Sequence, residues 1–114
     1  MANTFKNDTK ASLVTAVITD PSATVVTAGG TATLIILSVL ASNKTGTSAN
    51  VDIYIDKSTG DDVYLIRNAP VPSGSTLEII NGNKVILESA DKLQARCGTA
   101  SAVDLTVSYL EQTP

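Results

Sequence analysis

The sequence predicts an all-β protein, a single antiparallel β-sandwich of Greek-key or jelly-roll type with about eight or nine strands. Three observations predict it. Valine, isoleucine and threonine, all branched at Cβ and stiff at χ1, supply 35 of the 114 residues. Several segments alternate apolar and polar residues with the period of two that belongs to a strand. Turn-forming clusters recur every dozen residues or so, at Asp20-Pro21, Gly29-Gly30, 43–48, 58–62, 70–74, Asn81-Gly82-Asn83 and Gly98.

Between these breaks the strands are expected at 13–19, 24–27, 32–41, 50–57, 63–68, 77–80, 84–87, 92–97 and 103–111. The stretch 34–41 is the most hydrophobic and reads as a strand buried on both faces. In 50–57 the alternation turns Val51, Ile53 and Ile55 to the core, with Asp52, Tyr54 and Asp56 outside. In 92–97 it separates Leu93, Ala95 and Cys97 from Lys92, Gln94 and Arg96, and in 103–111 it puts Leu105, Val107 and Tyr109 on one face. Asn81-Gly82 favours a type I′ turn, because both central positions need positive φ, and so predicts a hairpin between 77–80 and 84–87. The segment 88–96 has no apolar stripe at helical spacing and reads as a turn followed by a strand. Residues 1–10 form an amino-terminal arm or edge strand, and 11–114 the sandwich domain.

Composition narrows the chemistry. Histidine is absent, which removes Ser-His and Cys-His pairs and most zinc sites. Tryptophan is absent too, and the aromatics are Phe5, Tyr54, Tyr64 and Tyr109, few for a sugar platform or a single-stranded nucleic-acid groove. A net charge of −3, with eight basic residues scattered along the chain, argues against a phosphate-backbone partner. The longest apolar run is far below the roughly 20 residues of a membrane-spanning helix. The polar start has no signal-peptide core, so synthesis in the cytoplasm is expected. These features point to a non-catalytic module with no cofactor, nucleic-acid partner or membrane partner.

Candidate sites remain few. The segment Asp56-Lys57-Ser58-Thr59-Gly60-Asp61-Asp62 alternates oxygen ligands like a calcium loop, with Asp56, Asp61 and Asp62 as the metal candidates. A complete loop carries a bidentate glutamate at its twelfth position, which here is Arg67, so a polar turn is the plainer reading. Gly29-Gly30 precedes no helix and is a turn rather than a phosphate cradle. Cys97 has no activating histidine and reads as a small core residue. Phe5, the single phenylalanine, lies within the polar arm and is the candidate anchor for assembly with a neighbour, although it equally suits packing under its own sheet as a ninth strand.

Four stretches together resemble a known family. They are Met1-Ala2-Asn3-Thr4-Phe5-Lys6-Asn7, the run 68–78 around Pro70-Val71-Pro72-Ser73-Gly74, the run 84–93 around Leu87-Glu88-Ser89-Ala90-Asp91, and the closing run 102–111. Their order is similar to that of small virion structural proteins of tailed bacteriophages, of the marine and cyanobacterial phage type. The resemblance implies a single β-sandwich that decorates the capsid or belongs to the tail, neck, baseplate or fibre base. The partners expected on such a particle are the major capsid protein or tail or baseplate proteins. The polar arm Asn3 to Lys10 beside a self-sufficient core leads us to expect association through strand edges and that arm into a symmetric homo-oligomer, a trimer or similar ring. It carries over no catalytic residues. Ala90 departs from the glycine expected before Asp91, where positive φ would suit the turn. The reading from another class is a surface- or carbohydrate-binding adhesion module.

Overall fold

The computed structural model describes residues 2–15, 20–60, 62–80 and 84–114. Among the described residues nine strands form two antiparallel sheets: β1 (Ala2–Lys10), β2 (Thr24–Thr27), β3 (Thr33–Asn43), β4 (Ala49–Asp56), β5 (Asp62–Val71), β6 (Thr76–Glu78), β7 (Val85–Leu87), β8 (Lys92–Cys97) and β9 (Val103–Thr113). The one helical turn among the described residues is a 3-10 turn at Pro21–Ala23, capped by Asp20. The first sheet runs β1-β9-β3, with β6 and β7 both paired to the far side of β3; the second runs β2-β8-β4-β5. With β6 and β7 taken as one interrupted strand, every connection except the β4–β5 hairpin crosses from one sheet to the other. That is the jelly-roll arrangement.

The core lies between the two inner faces, and the alternation seen in the sequence assigns it well. Leu34, Ile36, Val39 and Ala41 of β3, Val51, Ile53 and Ile55 of β4, Leu93, Ala95 and Cys97 of β8, and Val103, Leu105, Val107 and Tyr109 of β9 are all buried in one cluster. Burying these branched side chains is the main favourable contribution to folding.

Four expectations are corrected. Residues 13–15 are not a strand, and 16–19 lie outside the described residues. Instead Leu13 donates its N–H to the Val103 carbonyl (2.8 Å) and Val14 accepts from Cys97 N (3.0 Å), so the chain there spans the ends of both sheets. A segment passing between sheets cannot stay in one ladder. The turn Asn81-Gly82 lies outside the described residues, but its flanks do not pair as a hairpin. β6 pairs with Leu40–Ser42 and β7 with Leu34–Ile36, both antiparallel to the same strand, so they follow one another along a single edge.

The other two corrections concern outer faces. Asp52, Tyr54 and Gln94 point away from the core as expected, yet are buried at 6%, 3% and 1% exposure. Strand β3 is buried on one face rather than two, and Leu37, the extra residue at a register shift against β9, is exposed. The inner-face assignment makes Ile53→Ala a direct measure of packing: urea unfolding should show a loss of about 2–5 kcal/mol. A loss below about 0.5 kcal/mol is what an exposed position would give.

Candidate functional site

The calcium-candidate segment folds as the tight β4–β5 turn. Gly60 takes φ +101°, open to glycine, and donates its N–H to the Lys57 carbonyl at 2.9 Å. Asp56 and Asp62 are the closing pair of the ladder. Desolvation, then the hydrogen bond and the charge of Asp56, raise the Asp62 carboxyl above the ordinary carboxylate range. Asp61 lies outside the described residues, among which no group of three or more His, Cys, Asp or Glu side chains is placed to hold a metal ion. Arg67 lies over the Tyr64 ring, 5.2 Å from its centroid, on the exposed edge strand β5.

The most developed polar arrangement lies beside that turn, where three loops meet at Asp91. The Asp91 side chain is 1% exposed. Its oxygens accept from Lys57 Nζ (2.8 Å), Ser58 N (3.0 Å) and Glu88 N (2.9 Å). Lys57 also reaches Glu88 (3.1 Å), while Ser58 Oγ donates to the Ser89 carbonyl and Ser89 Oγ to the Gly30 carbonyl. Main-chain bonds complete the joint: Ala28 N donates to the Asp91 carbonyl and Ala90 N to the Ala28 carbonyl. Burial alone would raise the Asp91 carboxyl, but Lys57 and the two backbone amides together hold it below its ordinary value. The same contacts raise the Lys57 ammonium, its hydrogen bond to Asp91 acting most strongly.

A cleft of about 480 Å³ opens over this joint, lined by Gly30–Thr33, Lys57–Thr59, Glu88, Ser89 and Asp91. With three of the roughly four acceptor positions of its carboxylate taken, Asp91 is a clasp rather than a general base. Ala90, where glycine was expected, does adopt the left-handed region at φ +67°, so the turn keeps its shape at the cost of strain in an alanine.

Three further polar side chains act in the same way. Asn43 and Asp104 were not singled out from the sequence, and Asp52, expected as a solvated strand carboxylate that could add a ligand to the calcium candidates, is buried and bonded instead. Asn43 is buried and ties the β3–β4 loop to the end of β5: Nδ2 donates to the Thr47 and Val71 carbonyls, and Oδ1 accepts from Thr45 N and Oγ1. Asp104 accepts from Ser12 N (2.7 Å) and Lys44 Nζ (2.8 Å), and Lys44 followed by Ser12 lowers its carboxyl. Asp52 accepts from Asn68 N (2.6 Å) and Arg96 Nη1 (2.8 Å), fixing a bulge in β5. The available signal for Asn43 and Asp104 was an Asx residue beside a turn, whereas Asp52 lies in the middle of β4 and carried none. Cys97 is buried as expected, its thiol directed to the Leu13 and Thr99 carbonyls.

Phe5 sits elsewhere. Residues 2–10 are the edge strand β1, paired with β9 along its whole length and held by Lys6–Glu111 (2.9 Å) and by Tyr109 Oη donating to Asp8 (2.8 Å). Burial, followed by that bond to Asp8, pushes the Tyr109 phenol up to about 12. Phe5 is 77% exposed, so it closes the sheet without entering the core. The strand registers align it with Leu110, Ile35 and Ile86, an apolar row across the outer face of the first sheet. No protein-family model and no curated protein matches the chain.

Three predictions come from the clasp. Asp91→Ala should cost about 2–4 kcal/mol, since it strands two amides and an ammonium. The depressed carboxyls of Asp91 and Asp104 give stability that is complete above about pH 4, the unfolded value, and is lost as pH falls through their folded values. Asp62, shifted the other way, is relieved by acid. Urea midpoints measured from pH 7 down to pH 3 should therefore fall less for Asp91→Ala than for the parent. Ala90→Gly should raise stability by about 1 kcal/mol, because it removes the positive-φ strain; an unchanged or lower midpoint would contradict the turn geometry.

Proposed function

We propose that this protein is a non-catalytic virion structural component of a tailed bacteriophage, a capsid decoration or cement protein. A tail, neck, baseplate or fibre-base location is the alternative within that class. The observation that carries the reading is where the chain spends its side chains. Its buried carboxylates and amide tie loops together, while Phe5, Ile35, Ile86 and Leu110 form a row left on the outside. Aligned apolar side chains on an outer sheet face suit contact with other subunits. The jelly-roll order is common to capsid domains, lectins and cupins, so the fold agrees with the reading without selecting it. The resemblance in residues 68–78, 84–93 and 102–111 narrows the class to virion proteins.

A surface- or carbohydrate-binding adhesion module is the second reading, and the hydroxyl-lined cleft at Thr31, Thr33, Ser58, Thr59 and Ser89 is what favours it. Mass spectrometry of gradient-purified virions separates the two. Peptides of this chain at many copies per particle are expected. Its absence from particles, together with micromolar binding on a glycan array, would establish the adhesion module instead.

A further inference from the structure

A sandwich has open sheet edges, and each presents unpaired N–H and C=O groups to any strand that arrives. Three of the edges described here are blunted. β2 has four residues and a register shift against β8. β5 has two register shifts, carries Pro70, and holds Asn68 at φ +52°. β6 and β7 have three residues each. The fourth edge is different. β1 is nine residues long, contains neither glycine nor proline, and pairs with β9 from Ala2↔Thr113 to Lys10↔Leu105 without a shift. Residues 2–7 are exposed.

We infer that β1 pairs antiparallel with β1 of a second copy about a two-fold axis at Phe5, joining two sandwiches through one continuous sheet. Alternate residues of β1 already direct their amides toward β9, so only registers that oppose odd with odd and even with even residues match outward donors to outward acceptors. An axis at Lys6 would set Lys6 against Lys6, and one at Asp8 would set Asp8 against Asp8; like charges exclude both. An axis at Asn7 would pair Lys6 with Asp8 but leave Phe5 against Thr9. Exposed ion pairs contribute little, whereas covering an aromatic ring removes a large apolar area from water.

At Phe5 the charges are compatible with a second copy: Lys6 faces the partner's Thr4, Asp8 the partner's Ala2, and Asn3 the partner's Asn7. The two rings meet on the axis. The row Ile86–Ile35–Leu110–Phe5 then continues into the same row of the other copy, which explains why the most exposed large apolar side chain stands at the end of that row. The pairing names a partner for the contact surface of the assembly reading, but requires no virion: an isolated dimer that never enters a particle would defeat that reading alone.

Sedimentation of the full chain over a range of concentrations should show twice the chain mass, and Phe5→Asp, a change at a solvent-exposed site, should return it to a monomer. The register is read by cross-linking, with Cys97 buried and out of reach. The double variant Asn3→Cys/Asn7→Cys should form disulfide-linked dimers under mild oxidation, while Asn3→Cys and Asn7→Cys alone should not. A monomer at every concentration, leaving the edge for a strand of another protein, would overturn the pairing. So would a trimer or larger ring, a dimer untouched by Phe5→Asp, or efficient self-linking of Asn7→Cys.

Discussion

Side chains along a strand alternate between two faces, and a two-layer sandwich covers only one face of each sheet. Every other feature of this molecule is a response to that constraint. The inner faces take the branched residues and Tyr109. The outer faces are handled in opposite ways. On the second sheet, Asp52, Tyr54 and Gln94 are polar but buried, with Asp52 bonded to Arg96 and Asn68, and Gln94 to Thr24 and the Asp20 carbonyl. On the first sheet, Phe5, Ile35, Ile86 and Leu110 are apolar and lie on the outside. The second sheet's outer face is only partly satisfied, since Tyr54 Oη and Gln94 Oε1 are buried without a hydrogen-bond partner. The apolar row on the first sheet is uncovered, and a partner that removed it from water would be stabilising.

The jelly-roll order imposes a second demand, because its connections repeatedly leave one sheet for the other. Crossing segments lose their ladder partners, and their amides need other acceptors. Asp104 supplies one to Ser12, Asp91 one to Glu88 and Asn43 one to Thr45, while Asp91 and Asp52 also serve Ser58 in the β4–β5 turn and Asn68 at the β5 bulge. Strain collects at the same places. Ser12 at φ +58° donates to Asp104, Asn68 at φ +52° donates to Asp52, and Ala90 at φ +67° is bonded to Ala28 beside Asp91. Left-handed backbone in a non-glycine residue persists where surrounding bonds over-determine it. Asp52, Asp91 and Asp104 are therefore spent on geometry, each holding a backbone amide that no ladder partner satisfies.

Much of the core was legible from the sequence because it depends only on the period of two. Val51-Asp52-Ile53-Tyr54-Ile55 and Leu93-Gln94-Ala95-Arg96-Cys97 assign their inner faces unaided. What the period cannot convey is which strand lies beside which, and the misreadings follow from that. Asn81-Gly82 is a local signal for a hairpin, yet β6 and β7 both align along the long strand β3, a pairing decided by residues forty positions away. The apolar run 34–41 looked buried on both sides because hydrophobicity alone does not reveal that the outer face lacks a covering layer. The clasp at Asp91 was invisible for the same reason: Lys57 and Asp91 meet only after both sheets have formed. Asp56 and Asp62 read most plainly as part of a polar turn joining two strands, and they close the β4–β5 ladder at that turn.

These features together separate what the molecule needs for itself from what it offers outward. The loops are cross-tied at Asp91, Asn43, Asp104 and Asp52, and the core is closed by branched side chains, so little ordering remains to be done when a partner arrives. Such a scaffold pays for binding mainly in lost rigid-body freedom. A short apolar row and one open strand edge can then suffice, whereas a flexible arm of the same composition would first have to be ordered. Pairing of β1 with β9 over all nine residues, reinforced from Lys6 to Glu111 and from Tyr109 to Asp8, supplies that order in advance. Phe5 is thus held in place by its own sheet with its ring exposed, which is the position the proposed pairing requires.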